Sequence, residues 1–392
     1  MSIQTGNHQL VKKINKNLVL DMIIHYAPIS RADISQKSGL NKGTVSSLVT
    51  ELMDEQLILE SGPGKSSGGR RPVMLLFNER AGFSIGIDLG VNYILGVLTD
   101  LKGKNLVEIN RKLNVRTYDE VLTFLKSIIQ ELMQAAPKSP YGIVGIGIGV
   151  PGLVDHDGRI LTAPNFGWKN QYLKRDIENE FNIPVIIENE ASAGAYGEKL
   201  YGAGNDSNHM LYVSAGIGIG VGIIINGELY SGKEGFSGEF GHTIIQVNGK
   251  DCPCGSSGCW ELYASEKALL DEAKRLSLPN VTEETLSIEL LDKLAKQGNE
   301  DIINLFNTIG TYLAVGINNI IHTFNPDKII IGNRLVIAKD WLKKPIEKFI
   351  NKNTMKYHQD QLDISFSKLT TYSSALGVSA LSIESFLKSS LN

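Results

Sequence analysis

The densest chemistry in this 392-residue chain sits in one short loop, where Cys252, Cys254 and Cys259 are the only three cysteines. They follow the spacing Cys-x-Cys-x4-Cys, and His242 stands ten residues before the first of them. Three thiolates and one imidazole make a closed tetrahedral set suited to a structural Zn2+ ion. Gly255 and Gly258 permit the tight wrapping that such spacing needs. Three buried free thiols are the other reading of the same residues. Neither reading is a disulfide framework, which points to a cytoplasmic protein.

A second concentration of chemistry is basic and lies near the N-terminus. Lys42, Thr44, Ser46 and Ser47 fall on the outward face of a predicted helix, with Arg31 at the head of the helix before it. Lys65 lies within the stretch SGPGKSSGG, and Arg70 and Arg71 follow it. Side chains of this size and donor type reach base edges and phosphates, so these eight residues are the candidate DNA contacts.

The elements that must carry them are legible. Apolar residues at Leu10, Ile14, Leu18, Met22 and Ile23 follow a helical period, and Pro28 closes that helix. Ser30 with Asp33 forms a capping box for a helix from Arg31 to about Ser38, and Gly39 makes the turn. Asn41 caps a third helix whose Val45, Leu48, Val49 and Leu52 face inward. Strand-like Leu57–Glu60, the glycine-rich stretch and the strand Val73–Phe77 then form a wing. Residues 1–78 therefore read as a winged helix-turn-helix. They hold nine Lys/Arg against six Asp/Glu, a net of +3 in a chain of net charge −3. A basic head on an acidic body suits a nucleic-acid partner, while a three-helix module that binds protein would show the helices without the basic wing.

Residues 79–392 have another texture. Buried strands read at Ser84–Gly90, Tyr141–Gly149 and Met210–Gly222, and small-residue helices at Ala191–Tyr201 and from Ala375 onward. Two similar strand-rich openings suggest a duplicated α/β fold closing on a ligand, with a hinge near 190–205. The forty glycines are read as marking strand ends, where loops approach a ligand closely. No signal peptide and no apolar run of membrane-spanning length is visible, so no membrane partner is expected.

The segments SIGIDLG, GIGIGVPGLVD, APNFGW, ENEASAGAYGE, SAGIGIGVG, GFSGEFGHTII and CPCGSSGCWELYAS, in that order, resemble the ROK family of repressors and sugar kinases. With the winged helix in front, the resemblance is to the repressor branch, and within it to xylose-responsive members. It implies a two-lobed actin-like ATPase fold whose C-terminal helix returns to the first lobe. It also implies a sugar site at Gly152, Asn165, Asn189, Glu190, Glu239, His242 and Glu261, with His242 serving both metal and sugar.

The departures from the family's kinase pattern are informative. The D-x-G-G-T phosphate loop is Asp88-Leu89-Gly90-Val91-Asn92, the second loop G-T-G is Gly216-Ile217-Gly218, and the catalytic Asp position is Glu190. Two hydroxyls and a glycine are lost where phosphates would bind, which argues for a sensor rather than an enzyme. The longer Glu190 also intrudes where the C6 hydroxymethyl of a hexose would lie, and D-xylose lacks that group. The expected protein is a repressor that binds an inverted-repeat operator as a homodimer or higher homo-oligomer and is released by a monosaccharide, D-xylose. A fused sugar kinase is one other reading. A sensor of glucose or of an amino-sugar phosphate is another, for which Lys169 and Lys174 lie close to the APNFGW loop.

Overall fold

The computed structural model describes residues 8–63, 72–276, 278 and 281–390. The N-terminal part contains helix α1 (His8–Tyr26), strand β1 (Ile29–Ser30), helices α2 (Arg31–Ser38) and α3 (Lys42–Asp54), and strands β2 (Ile58–Pro63) and β3 (Val73–Phe77). Local chemistry sets these boundaries. The Ser30 hydroxyl accepts from the Asp33 N–H while Asp33 accepts from the Ser30 N–H, and Gly39 turns the chain at φ 73°. Asn41 caps α3 by accepting from the Thr44 N–H. Strands β1 and β2 both pair antiparallel with β3.

Val45, Leu48, Val49 and Leu52 of α3 are buried as their spacing predicts. In α1 the sequence reading holds at its C-terminal end, where Ile23 is buried and Met22 packs beside it, but Val19 and Leu20 complete the buried stripe, and Ile14 is 57% exposed. The helix carries two apolar stripes, and only the one facing α3 and β3 is used. This small core continues into the body through Ala81, Leu101, Val144 and Ile383. Tyr141 donates its hydroxyl to the Glu55 carbonyl across the same boundary, at 2.8 Å.

The body consists of two halves of the same plan. The first holds β4 (Phe83–Leu89), β5 (Tyr93–Asp100), β6 (Asn105–Lys112), α4 (Tyr118–Ala135), β7 (Ile143–Val150), β8 (Leu153–Val154), β9 (Ile160–Ala163), β10 (Trp168–Gln171), α5 (Leu173–Phe181), β11 (Val185–Asn189) and α6 (Glu190–Tyr201). The second holds β12 (Met210–Ala215), β13 (Ile219–Ile225), β14 (Glu228–Leu229), α7 (Glu261–Ala264), α8 (Glu266–Ala273), α9 (Ile288–Lys296), α10 (Glu300–Phe324), β15 (Lys328–Gly332), α11 (Lys339–Asn353), α12 (Lys356–Gln359), β16 (Asp363–Phe366) and α13 (Ser373–Ser390). The sheets run β11-β7-β4-β5-β6 and β14-β13-β12-β15-β16. In each, an antiparallel meander is followed by two parallel strands, so β4, β5, β7 and β11 correspond to β12, β13, β15 and β16.

The two halves exchange their last helices. Helix α6 lies on β13, where Gly222 approaches the Ala191 carbonyl. Helix α13 lies on β4 and β7, where Gly86 and Gly147 approach the carbonyls of Ala375 and Val378. Several glycines read as strand-end markers are thus strand-interior positions. They lack a Cβ because a helix backbone rests directly on them. Where α6 and α13 cross, they meet at Gly197 and Gly377.

Candidate functional site

The proposed metal ligands come together. The ligand atoms of His242, Cys252, Cys254 and Cys259 all lie within 4.8 Å of one another. The Cys254–Cys259 sulfur separation is 3.8 Å, and Cys252 Sγ stands 3.7 Å from His242 Nδ1. A tetrahedral ion with metal–sulfur bonds of about 2.3 Å requires ligand separations of roughly 3.8 Å, so the set fits such an ion. Backbone pairing holds the loop: Ile244 bridges Cys259 and Asp251 bridges Ser257. The positive φ of Gly258 lets its Cα pass against the Gln246 carbonyl, where a Cβ would sit 1.8 Å away.

The carboxylates beside the loop form one group with it. His242 Nδ1 is 3.6 Å from Glu261 Oε1, and His242 Nε2 is 3.9 Å from Glu239 Oε2. With Nδ1 turned to the thiols, Nε2 is left to face Glu239 and whatever enters beside it. Asn189 and Gly152 form a second group, in which the Asn189 amide donates to the Gly152 carbonyl at 3.0 Å. The Asn189 side-chain oxygen is committed to capping α6, accepting from the N–H groups of Ala191 and Ser192. Asn165 stands apart, exposed on the turn Pro164–Phe166, and makes no hydrogen bond among the described residues.

Glu190 heads α6 and belongs to a third group that sequence reading missed. Its Oε1 accepts from Ser214 Oγ at 2.9 Å and from Asn333 Nδ2 at 2.5 Å. Both partners come from the second half, Ser214 on β12 and Asn333 just after β15. The internal duplication was the available signal. The end of β15 corresponds to the end of β7, where Gly152 was already a candidate, and ligands of open α/β sheets gather at such strand ends.

At the two loops assigned by resemblance to phosphates, side chains of the protein stand against the glycines. A methyl group on Gly90 would lie 2.3 Å from the Tyr93 ring, which packs over that turn. The Tyr93 hydroxyl donates to Asp88 Oδ2 at 2.6 Å. Asn92 turns away and accepts from Arg116 at 3.0 Å. Over the second loop, the Asn333 amide lies 2.8 Å from where a Gly216 Cβ would be.

Asp88 is 1% exposed, and its Oδ1 has no hydrogen-bond partner among the described residues. Burial first, and the Glu190 carboxylate second, push its pKa up from 3.8 to about 8. A carboxyl raised above its unfolded value holds its proton more tightly when folded. The stability attached to that proton is complete below about pH 4 and is lost as the pH rises toward 8. Asp88→Asn keeps an acceptor for Tyr93 and carries no charge to desolvate. Its thermal midpoint is expected to gain on the wild type's progressively across that window, by an amount worth on the order of a few kcal/mol. An unchanging difference between the two proteins over the same pH range would show that Asp88 holds no such proton.

In the N-terminal part, Lys42, Ser46 and Ser47 are exposed and Thr44 is half-buried at the start of α3. Arg31 is already engaged, its guanidinium 3.2 Å from Glu60 on β2. Lys65, Arg70 and Arg71 lie outside the described residues. No helix among the described residues is long and apolar enough to cross a membrane.

The fold and these groups define a two-lobed, sugar-kinase-like body behind a winged helix, and comparison with known proteins agrees. The model of the ROK family matches residues 84–385. A xylose repressor of Bacillus spizizenii is 45% identical over 382 residues, covering 97% of this chain and 98% of its own. A crystal structure of a ROK family transcriptional regulator, a homologue of the Escherichia coli MLC protein, superposes with a TM-score of 0.83 at 30% identity, over 97% of this chain and 98% of that one. A ROK family glucokinase from Streptomyces griseus, solved with glucose and AMPPNP, gives a TM-score of 0.71 at 26% identity, covering 76% of this chain and 99% of its own. The chain belongs to the ROK family. It is related over nearly its whole length to xylose repressors, and the kinase relative matches a smaller share of it.

Proposed function

We propose that this chain is a transcriptional repressor that binds operator DNA and is released by a monosaccharide, D-xylose, bound in the cleft between the two halves of the body. It is a regulator and not a kinase. The observation that carries this reading is the near-full-length relation to xylose repressors, supported by the packing of Tyr93 against Gly90 and of Asn333 against Gly216 in loops that bind phosphate in the kinase branch. Glu239, His242 and Glu261 stand together as partners a sugar would need, and in this reading Glu190 meets the same sugar from the head of α6. Asn189 serves chiefly to hold the Gly152 turn, and Asn165 reaches the ligand from the rim.

In this reading His242, Cys252, Cys254 and Cys259 hold a structural zinc ion. The ion supplies rigidity, fixing the wall that carries Glu239 and Glu261. Residues 1–78 form the DNA-binding domain and residues 79–392 the sensor, with α6 at the hinge. Lys42, Thr44, Ser46 and Ser47 enter the major groove, while Lys65, Arg70, Arg71 and a released Arg31 meet the backbone. The protein acts in the cytoplasm as a homodimer on an inverted repeat, because paired recognition helices require paired half-sites. Sugar binding favours a closed arrangement of the halves, and the DNA-competent population falls by as much as the sugar's affinity differs between the two states.

The test is fluorescence anisotropy of the full chain on labelled DNA from upstream of the sugar genes beside its own gene. D-xylose, D-glucose and N-acetylglucosamine 6-phosphate are titrated in parallel. Release by D-xylose alone is the expected result. Release by another sugar would overturn the inducer, and failure to bind a verified operator would overturn the repressor reading.

A further inference from the structure

Asn333 carries a backbone conformation that an asparagine does not adopt without cause. Asn182 and Asn325 also have positive φ, but their ψ values of 38° and 58° place them in the ordinary left-handed helical region. Asn333 has φ 64° and ψ −153°, a region populated essentially by glycine. A residue held there is strained and persists only where its surroundings demand it.

The surroundings are its own side-chain contacts. Asn333 Nδ2 donates to Glu190 Oε1 at 2.5 Å and to Ser214 Oγ at 3.0 Å. Its Oδ1 accepts from the Arg334 N–H at 2.7 Å, and the Arg334 guanidinium is itself anchored, 3.2 Å from Glu266 and 2.8 Å from Glu289. The amide is therefore fixed at both ends. Glu190 Oε1 receives two donors, one from Asn333 and one from Ser214, while Glu190 Oε2 accepts no hydrogen bond from the described residues. A carboxylate anchored through one oxygen presents the other in a defined direction, which is what recognition of a particular sugar hydroxyl requires.

We propose that Asn333 is a positioning residue for the inducer: it anchors Glu190 across the two halves so that the free carboxylate oxygen meets one sugar hydroxyl, and it thereby sets sugar preference. This inference rests on the cleft being the sugar site. It assigns a role to a residue that never touches the ligand.

The experiment compares the wild type with Asn333→Gly and Ser214→Ala, each as the full chain, by operator anisotropy with D-xylose and D-glucose and by thermal denaturation. Glycine suits the backbone and removes only the amide. Asn333→Gly is expected to match or exceed the wild type's melting temperature and to bind operator equally well without sugar. Its half-release concentration of D-xylose should rise about tenfold, the scale of one lost hydrogen bond to a charged group, and its preference for D-xylose over D-glucose should shrink. Ser214→Ala should move both readouts in the same direction by less. A melting temperature that falls with unchanged preference would make Asn333 a merely structural residue and overturn the inference. So would a folded Asn333→Gly with wild-type half-release. If Asn333→Gly does not fold, Ser214→Ala decides alone, and unaltered half-release overturns the inference. A wild type that no sugar releases overturns instead the functional reading beneath it.

Discussion

Replacing Cys259 by serine is expected to abolish metal binding and to weaken sugar-driven release by roughly ten- to a hundredfold, while operator binding without sugar stays unchanged. Cys259 is fully buried, its Sγ 3.8 Å from Cys254 Sγ and 3.5 Å from the His242 carbonyl. Serine nearly matches its volume, so packing of the neighbouring Trp260 against Gly316 is retained. What is lost is a thiolate, and with it the closed set of four ligands. Glu261 lies two residues beyond Cys259, and Glu239 three before His242, so both carboxylates stand on the segment the ion would fasten. Without it their orientation must be fixed by the sugar itself, at a cost in conformational entropy. Metal content by mass spectrometry and sugar titration of the operator complex check this together. Full sugar response from metal-free protein would remove the ion from the sensing mechanism.

Gly377→Ala should have the larger effect on stability. A Cβ on Gly377 would sit 1.7 Å from the Ala193 carbonyl oxygen and 2.9 Å from the Gly197 nitrogen. The obstacle is helix backbone, which has no rotamer to change, so α6 and α13 must move apart. Overpacking typically costs about 1–3 kcal/mol, and a clash against backbone belongs at or beyond the upper end. The displaced helices are the two that the halves exchange. Ser84 Oγ donates to the Ser379 carbonyl at 3.2 Å, tying α13 to the first sheet. Farther along, Ile383 joins the core of the winged helix. The substitution is therefore expected to lower the thermal midpoint by several degrees and to disturb the sugar response as well. A variant with wild-type midpoint and response would mean that the crossing is looser than this geometry.

Much of this was legible in the residues. The capping box at Ser30 and Asp33, the turn at Gly39, the Asn41 cap and the inward set of α3 are short-range chemistry, complete within a few residues of chain. The cysteine spacing belongs to the same class, because a loop of eight residues has few ways to present three thiols. The sheet order of the two halves was not legible, since buried strands such as Ile143–Val150 are apolar throughout and show no face.

What the chain alone left undetermined depends on partners far away in sequence. Leu10, Ile14 and Leu18 have as good a helical period as Val19 and Ile23, and only the contact with α3 and β3 selects the buried stripe. Gly86 and Gly147 sit inside strands that the sequence shows as buried, but only the fold reveals that helix backbone rests directly on them. Tyr93 is an ordinary strand residue by type, and only the folded turn places its ring over Gly90 and its hydroxyl on Asp88. Asn333 lies 143 residues from Glu190, and no local rule joins them. Local hydrogen bonding and spacing therefore determined the DNA-reading head and the metal loop. The arrangement of Glu190 with Ser214 and Asn333 was decided by tertiary contacts, because Asn333 stands more than a hundred residues from both partners and the three side chains meet only in the folded chain.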